Sequence, residues 1–178
     1  MPRVLASRAV VAVHIGVIGE GRCSRRVAAR AERVGAAIAA AGAVLVCGGL
    51  GGVMAAASRG AARAGGVVVG LLPGVDRADA NRWVTIPIAT GMDQARNVIV
   101  VRSCDAVIAI GGIYGTLSEI ALALKLGRPV IGLGTWRLVQ PDRRRVPLIR
   151  ATSPEVAVAR ALRAARRAPV GRRPRWLS

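Results

Sequence analysis

Apolar residues along this chain fall into short unbroken runs, separated by longer stretches in which alanine, arginine and aliphatic residues recur at helical spacing. Runs near 10–18, 43–47, 66–71, 83–88, 105–110 and 129–133 have the length and β-branched content of strands buried on both faces. Stretches near 24–41, 52–64, 92–103 and 115–127 read as helices. Such alternation predicts an α/β fold: a single Rossmann-like domain with a doubly wound, mostly parallel sheet and helices on both faces. Beyond Gly134 the pattern loosens into a charged loop, Pro141 to Pro147, and a short strand at Leu148-Ile149. Ser153-Pro154-Glu155 then supplies an N-cap, a first-turn proline and an early acid, which start a helix running to about Arg167. The domain is expected to span 1–167. The segment 168–178, rich in arginine and without apolar periodicity, is expected to be a disordered, solvated tail.

Three of the strands run directly into glycine. Val11-Ala-Val-His-Ile-Gly-Val17 leads into Gly19-Glu-Gly21, Val44-Leu-Val46 into Gly48-Gly-Leu-Gly-Gly52, and Ala106-Val-Ile-Ala-Ile110 into Gly111-Gly-Ile-Tyr-Gly-Thr-Leu-Ser-Glu119. The first amides of a helix lack internal partners and the helix dipole favours an anion there, so a strand, glycine turn and helix form a phosphate cradle. Three such loops in one α/β chain are expected to line one edge of the sheet.

Composition narrows the class. At 178 residues and 53% apolar, with no Phe, the core must be packed by Ala, Val, Ile and Leu. No apolar run approaches the roughly 18–20 residues that cross a membrane. Arg3, Arg8 and the apolar residues after them imitate a signal peptide, but no small-x-small cleavage site follows, and a first buried strand accounts for them better. Cys23, Cys47 and Cys104 are odd in number and widely spaced, which predicts neither disulfide nor zinc and fits a reducing cytoplasm. The formal charge of +18 invites a nucleic-acid reading. Lys125 is, however, the single lysine among 27 basic residues, which looks like coding bias, and no RNA-binding aromatic motif is present. The charge is better read as solubility and steering of small anions, and nucleic acid is not the expected partner.

Among candidate residues, Arg96 stands at the start of an otherwise apolar helix, Val98-Ile-Val-Val101, which suggests that it is aimed at a ligand. Thr116 and Glu119 have the spacing of a capping box, a structural role that can coexist with ligand contact. His14, the only histidine, lies within the first strand as a satisfied core position, so Ser-His-Asp and Cys-His mechanisms are not expected. Lys125 sits late in its helix, where it complements the dipole.

The chain resembles the LOG-like (Lonely-Guy-type) Rossmann family, once mislabelled as lysine decarboxylases, and its small bacterial branch near the molybdenum cofactor carrier proteins. The resemblance runs from about Ile15 to Arg167. It rests on Gly48-Gly-Leu-Gly-Gly-Val-Met54, on Ala61-Ala-Arg-Ala-Gly-Gly66 with Gly70-Leu-Leu-Pro-Gly74, on Gly91-Met-Asp-Gln-Ala-Arg-Asn97, and on Tyr114-Gly-Thr-Leu-Ser-Glu119. It implies a small phosphorylated ligand, contacted by Gly19, Gly48, Gly49, Gly51, Gly52, Met92, Asn97, Gly111, Gly112, Tyr114, Gly115 and Thr116. For the enzymatic branch it implies hydrolysis of the N-glycosidic bond of AMP or an N6-substituted AMP, with Arg96 and Glu119 as the catalytic pair and no required cofactor. The alternative it implies is a non-catalytic carrier of a nucleotide-like or molybdopterin-type cofactor. A homo-oligomer, dimer or tetramer, is expected in either case. The chain departs from the enzymatic motif in two places: Gly111, Gly112 and Ile113 stand where Pro-Gly-Gly is usual, and Asn97 where a lysine commonly follows the arginine. A β-branched Ile113 resists positive φ, so either that position has an ordinary backbone or the cradle is altered.

Overall fold

In the computed structural model, which describes residues 12–142 and 145–167, seven strands form one sheet: β1 (His14–Gly19), β2 (Val44–Cys47), β3 (Val68–Leu72), β4 (Ile86–Ala89), β5 (Ala106–Ile110), β6 (Val130–Leu133) and β7 (Leu148–Ala151). Their order is β4-β3-β2-β1-β5-β6-β7, and every pairing is parallel. Four helices lie between strands, α1 (Arg25–Ala40), α2 (Gly52–Arg63), α3 (Arg96–Arg102) and α4 (Tyr114–Lys125), and α5 (Pro154–Arg167) follows the last strand. The order reverses at β1, whose neighbours are β2 on one side and β5 on the other. In open α/β sheets a crevice opens at such a point, beyond the carboxyl ends of the strands.

Strand periodicity divides the core into two layers. Ile15 and Val17, Leu45 and Cys47, and Ala106, Ile108 and Ile110 face α1, α2 and α5. Ile18, Val46, Val107 and Ala109 face α3 and α4. Both layers are aliphatic, as the composition requires.

Helices α1 and α2 meet through two glycines. A β-carbon on Gly35 would overlap the backbone at Ala57, and one on Gly60 would overlap the backbone at Glu32, so the helices approach as far as two bare backbones allow. Beside this contact Glu32 receives Arg59 (Nη2–Oε2 2.6 Å) and Arg63 (Nη1–Oε1 3.1 Å). The Ser153 hydroxyl accepts from Val156 N at 3.3 Å, and the expected cap of α5 is formed.

The expected helix over 92–103 is instead two pieces. A single 3-10 turn spans Asp93–Ala95, and α3 begins only at Arg96. The cause is the corner before it, where Gly91 (φ +63) and Asp93 (φ +44) both hold positive φ and no helix can propagate. That apolar helix packs Val100 and Val101 into its own sheet. The first strand starts at His14 rather than near 10, and residues 10 and 11 lie outside the described residues, as do Arg3, Arg8 and the tail 168–178. The short strand expected at Leu148-Ile149 extends to Ala151 and forms the far edge of the sheet.

Candidate functional site

The three glycine loops lie at one edge of the sheet and divide the work unequally. At the start of α2, Val53 N donates to Glu20 O at 3.0 Å, and a side chain on Gly52 (φ +58) would overlap the Glu20–Gly21 backbone. The α2 terminus is therefore sealed by the first loop, and Gly51 and Gly52 serve loop-to-loop packing. Gly49 turns away, its carbonyl accepting from Asn81 N at 2.8 Å and Asn81 Nδ2 at 3.0 Å. Gly48 remains at the crevice.

After β5 the positive φ values are taken by Gly111 (+58) and Gly112 (+100), while Ile113 is extended (φ −112, ψ −155). The β-branched side chain thus occupies the position that tolerates it. Helix α4 then begins at Tyr114, with Ile113 at the cap and no side chain capping it. The expected capping box is absent. Because the cap falls three residues earlier, at Ile113, Thr116 lies inside the first turn, where its buried Oγ1 has no hydrogen-bond partner. Thr116 and Glu119, three apart on one helical face, both turn into the crevice.

The crevice is a cleft of about 170 Å³. Of the residues expected to touch ligand, Gly19, Gly48, Arg96, Asn97, Gly115, Thr116 and Glu119 line it; Gly49, Gly51, Gly52, Met92, Gly111, Gly112 and Tyr114 do not. Tyr114 is 79% exposed, its ring centroid 6.0 Å from that of Trp136. Lining residues that the sequence reading did not single out include Glu20, Met54 and Gln94; Ile113, noted there for its backbone, lines the cleft as well. Only Glu20 carried a signal, as an acid between two glycines in a strongly basic chain.

Arg96 and Glu119 are 7% and 8% exposed. The Arg96 guanidinium lies over Gly48, whose missing side chain makes room for it, and Arg96 Nε has no partner. The two side chains feel each other's charge, yet among the described residues no ion pair joins them. Burial pushes the Glu119 carboxyl up to about 7, with Arg96 opposing the rise. Burial likewise lowers the Arg96 guanidinium, against the pull of Glu119 and Cys47. The corner that aims Arg96 is pinned by Gly91 N to Gly74 O (2.9 Å) and Asp93 N to Pro73 O (3.1 Å). A buried cation, a buried hydroxyl and the opening amides of α4 converge here beside a carboxyl that titrates near neutrality. Such a set can hold an anion and carry a proton.

His14 lies at the opposite end of β1, its Nδ1 3.1 Å from Ser103 O, a satisfied position at the amino edge of the sheet. Lys125 closes the other end of α4. All three cysteines are free, and among the described residues no group of three or more His, Cys, Asp or Glu could hold a metal. Among the same residues no helix is long and apolar enough to cross a membrane.

A seven-stranded parallel sheet with a polar cleft at its switch point defines a Rossmann-like α/β protein. The chain belongs to the SLOG cluster4 family, which matches residues 12–158 and agrees with the LOG-like resemblance of its motifs. An uncharacterized protein of Archaeoglobus fulgidus is 52% identical over 122 residues, 68% of this chain and 80% of that protein. The molybdenum cofactor binding protein of Rippkaea orientalis superposes with a TM-score of 0.80 at 38% identity, covering 87% of this chain and 98% of that one. The molybdenum cofactor carrier protein of Chlamydomonas reinhardtii does so with a TM-score of 0.77 at 34% identity, over 86% and 98%.

Proposed function

We propose that the cleft binds the phosphorylated end of a nucleotide-like ligand, and that the chain acts as a binding or carrier protein for a molybdopterin-type cofactor. The observation that carries this reading is the pair of buried, unpartnered polar atoms, Arg96 Nε at the start of α3 and Thr116 Oγ1 in the first turn of α4, on residues that line the same cleft. Each such atom costs about 1–3 kcal/mol when left unpaired, a cost that a bound phosphate removes. Arg96, Thr116 and the α4 amides hold the phosphate, and Gly48 keeps the space that Arg96 needs. The bound cofactor supplies metal redox chemistry to whatever enzyme receives it; this chain anchors and shelters it. A cavity below the roughly 300 Å³ usual for whole small-molecule ligands encloses only part of such a ligand, its phosphorylated end included. The similarity to the two molybdenum cofactor proteins supports the same ligand class.

A second reading, phosphoribohydrolase, draws on Glu119. A carboxyl titrating near 7 beside a cation is suited to stabilise the positive charge on ribose as the C1′–N bond of AMP or an N6-substituted AMP breaks and water adds at C1′. No cofactor takes part. A homo-oligomer belongs to either reading, supported by Ile86, Ile88 and Met92, apolar yet 46%, 42% and 43% exposed.

The test is calorimetric titration of wild type and Arg96→Ala with ribose 5-phosphate, with oxidation of the purified protein to reveal any fluorescent pterin. Binding lost in the variant, with a pterin recovered from wild type only, supports the carrier. Base released over time from AMP by wild type but not by Glu119→Ala favours the enzyme. Absence of phosphate-ester binding by wild type overturns both.

A further inference from the structure

Arg96, Thr116 and Glu119 line the cleft, and Glu20 lines it with them. It follows Gly19 in the loop after β1, is half-buried, and places Oε1 3.3 Å from where a β-carbon on Gly111 would sit. In a chain of formal charge +18, carboxylates readily find cations: Glu32 takes Arg59 and Arg63, and Glu155 takes Arg33. Glu20 takes none, and among the described residues no hydrogen bond or ion pair reaches its carboxylate. The anion anchor and this carboxylate thus line one cleft, and among the described residues no ion pair joins them.

A carboxylate near an anion site weakens the binding of bare phosphate. Ionised, it accepts hydrogen bonds and donates none. It favours a ligand that carries N–H donors at a distance from its phosphate. We propose that Glu20 reads the ring of the ligand, accepting from two adjacent N–H groups, so that the cleft selects a guanine- or pterin-type edge over adenine. Guanine and pterin both present a ring N–H beside an exocyclic amino group. Adenine presents its amino group beside an unprotonated ring nitrogen, whose lone pair faces the carboxylate unfavourably. This selectivity rests on the binding reading above and names the ring that the cleft accepts.

The test is a set of titrations with GMP, AMP and ribose 5-phosphate on wild type and Glu20→Gln, with 6-carboxypterin run alongside to tell the pterin source of the edge from the guanine one. The main-chain carbonyl of Glu20, not its side chain, accepts from Val53, so the variant keeps the loop contact. Wild type is expected to hold GMP about tenfold or more tighter than AMP, the discrimination a bidentate base contact supplies. Glu20→Gln is expected to collapse that ratio without weakening ribose 5-phosphate. Removing a negative charge strengthens all anions alike, so the ratio is the readout. Equal affinity of wild type for GMP and AMP, with ribose 5-phosphate still bound, overturns the proposal and leaves the phosphate site standing. Loss of ribose 5-phosphate binding in the variant also overturns it, assigning Glu20 to the ribose hydroxyls. If none of the three probes binds wild type, the phosphate site itself fails, and the proposal with it. Should Glu20→Gln not fold, the wild-type ratio and Glu20→Ala carry the test.

Discussion

The guanidinium of Arg96 occupies the space above Gly48 that a β-carbon there would need. A glycine at the end of β2 and an arginine at the start of α3 are thus two halves of one feature: the first is bare so that the second can reach the cleft.

Gly48→Ala is expected to leave the fold intact and displace Arg96. The overlap is with the far end of a flexible side chain, so the stability cost lies at the low end of the about 1–3 kcal/mol typical of overpacking. Ribose 5-phosphate affinity is expected to fall at least about tenfold, the size of one lost charge-assisted hydrogen bond. A variant that melts like wild type and binds like it would show that Arg96 is not held by this space.

Glu119 links stability to pH. Its carboxyl titrates near 4.5 when unfolded and near 7 when folded. Between those values the folded chain binds more protons, so this group's contribution to stability is intact below about pH 4.5 and is lost as pH rises through 7. The loss is on the order of 3 kcal/mol. Urea denaturation at pH 5 and pH 8 should show Glu119→Gln losing less stability than wild type over that interval and exceeding it at pH 8. Parallel behaviour of the two proteins argues against a raised carboxyl.

Thr116→Val removes a buried hydroxyl that has no partner. The variant is expected to gain about 1 kcal/mol or remain neutral, because an unsatisfied group is replaced by a methyl of similar shape. Phosphate-ester affinity should fall over the same substitution, a trade of function for stability. Thermal melts and titrations on the same preparation decide it; a destabilised variant means that the hydroxyl has a partner.

Gly60→Val tests the helix pair away from the cleft. Its side chain would enter the backbone of α1 at Glu32, where nothing can move aside. Destabilisation should exceed about 3 kcal/mol, seen as loss of the cooperative unfolding transition or of soluble protein. A soluble, cooperatively folding variant would show that α1 and α2 can separate.

Much of the fold was legible because its signals are local. Strand and helix announce themselves in apolar runs and helical spacing, and the glycines of the 111–112 turn mark the place where the backbone adopts positive φ. Ser153 and Glu155 gave the start of α5 correctly, since a cap is decided within four residues. The cap of α4 was misread for the same reason, although the helix itself lies where it was expected. Thr116 and Glu119 satisfy the local pattern of a cap, but the positive-φ pair Gly111–Gly112 and extended Ile113 put the cap earlier, turning both side chains inward. The break before α3 was also hidden, because Asp93 in a left-handed conformation is imposed by bonds to β3's outgoing loop rather than by its own residue type.

The sequence by itself determined the class of fold, the aliphatic core, the edge of the sheet where glycines gather, and Arg96 and Glu119 as residues of interest. Tertiary structure alone decided which glycines face the cleft and which pack loop against loop, that Arg96 and Thr116 are buried with polar atoms unpartnered, and that Glu20 shares their cleft. Those properties depend on residues distant in the chain meeting at the switch point of the sheet, where burial and close approach, not local conformation, set the chemistry.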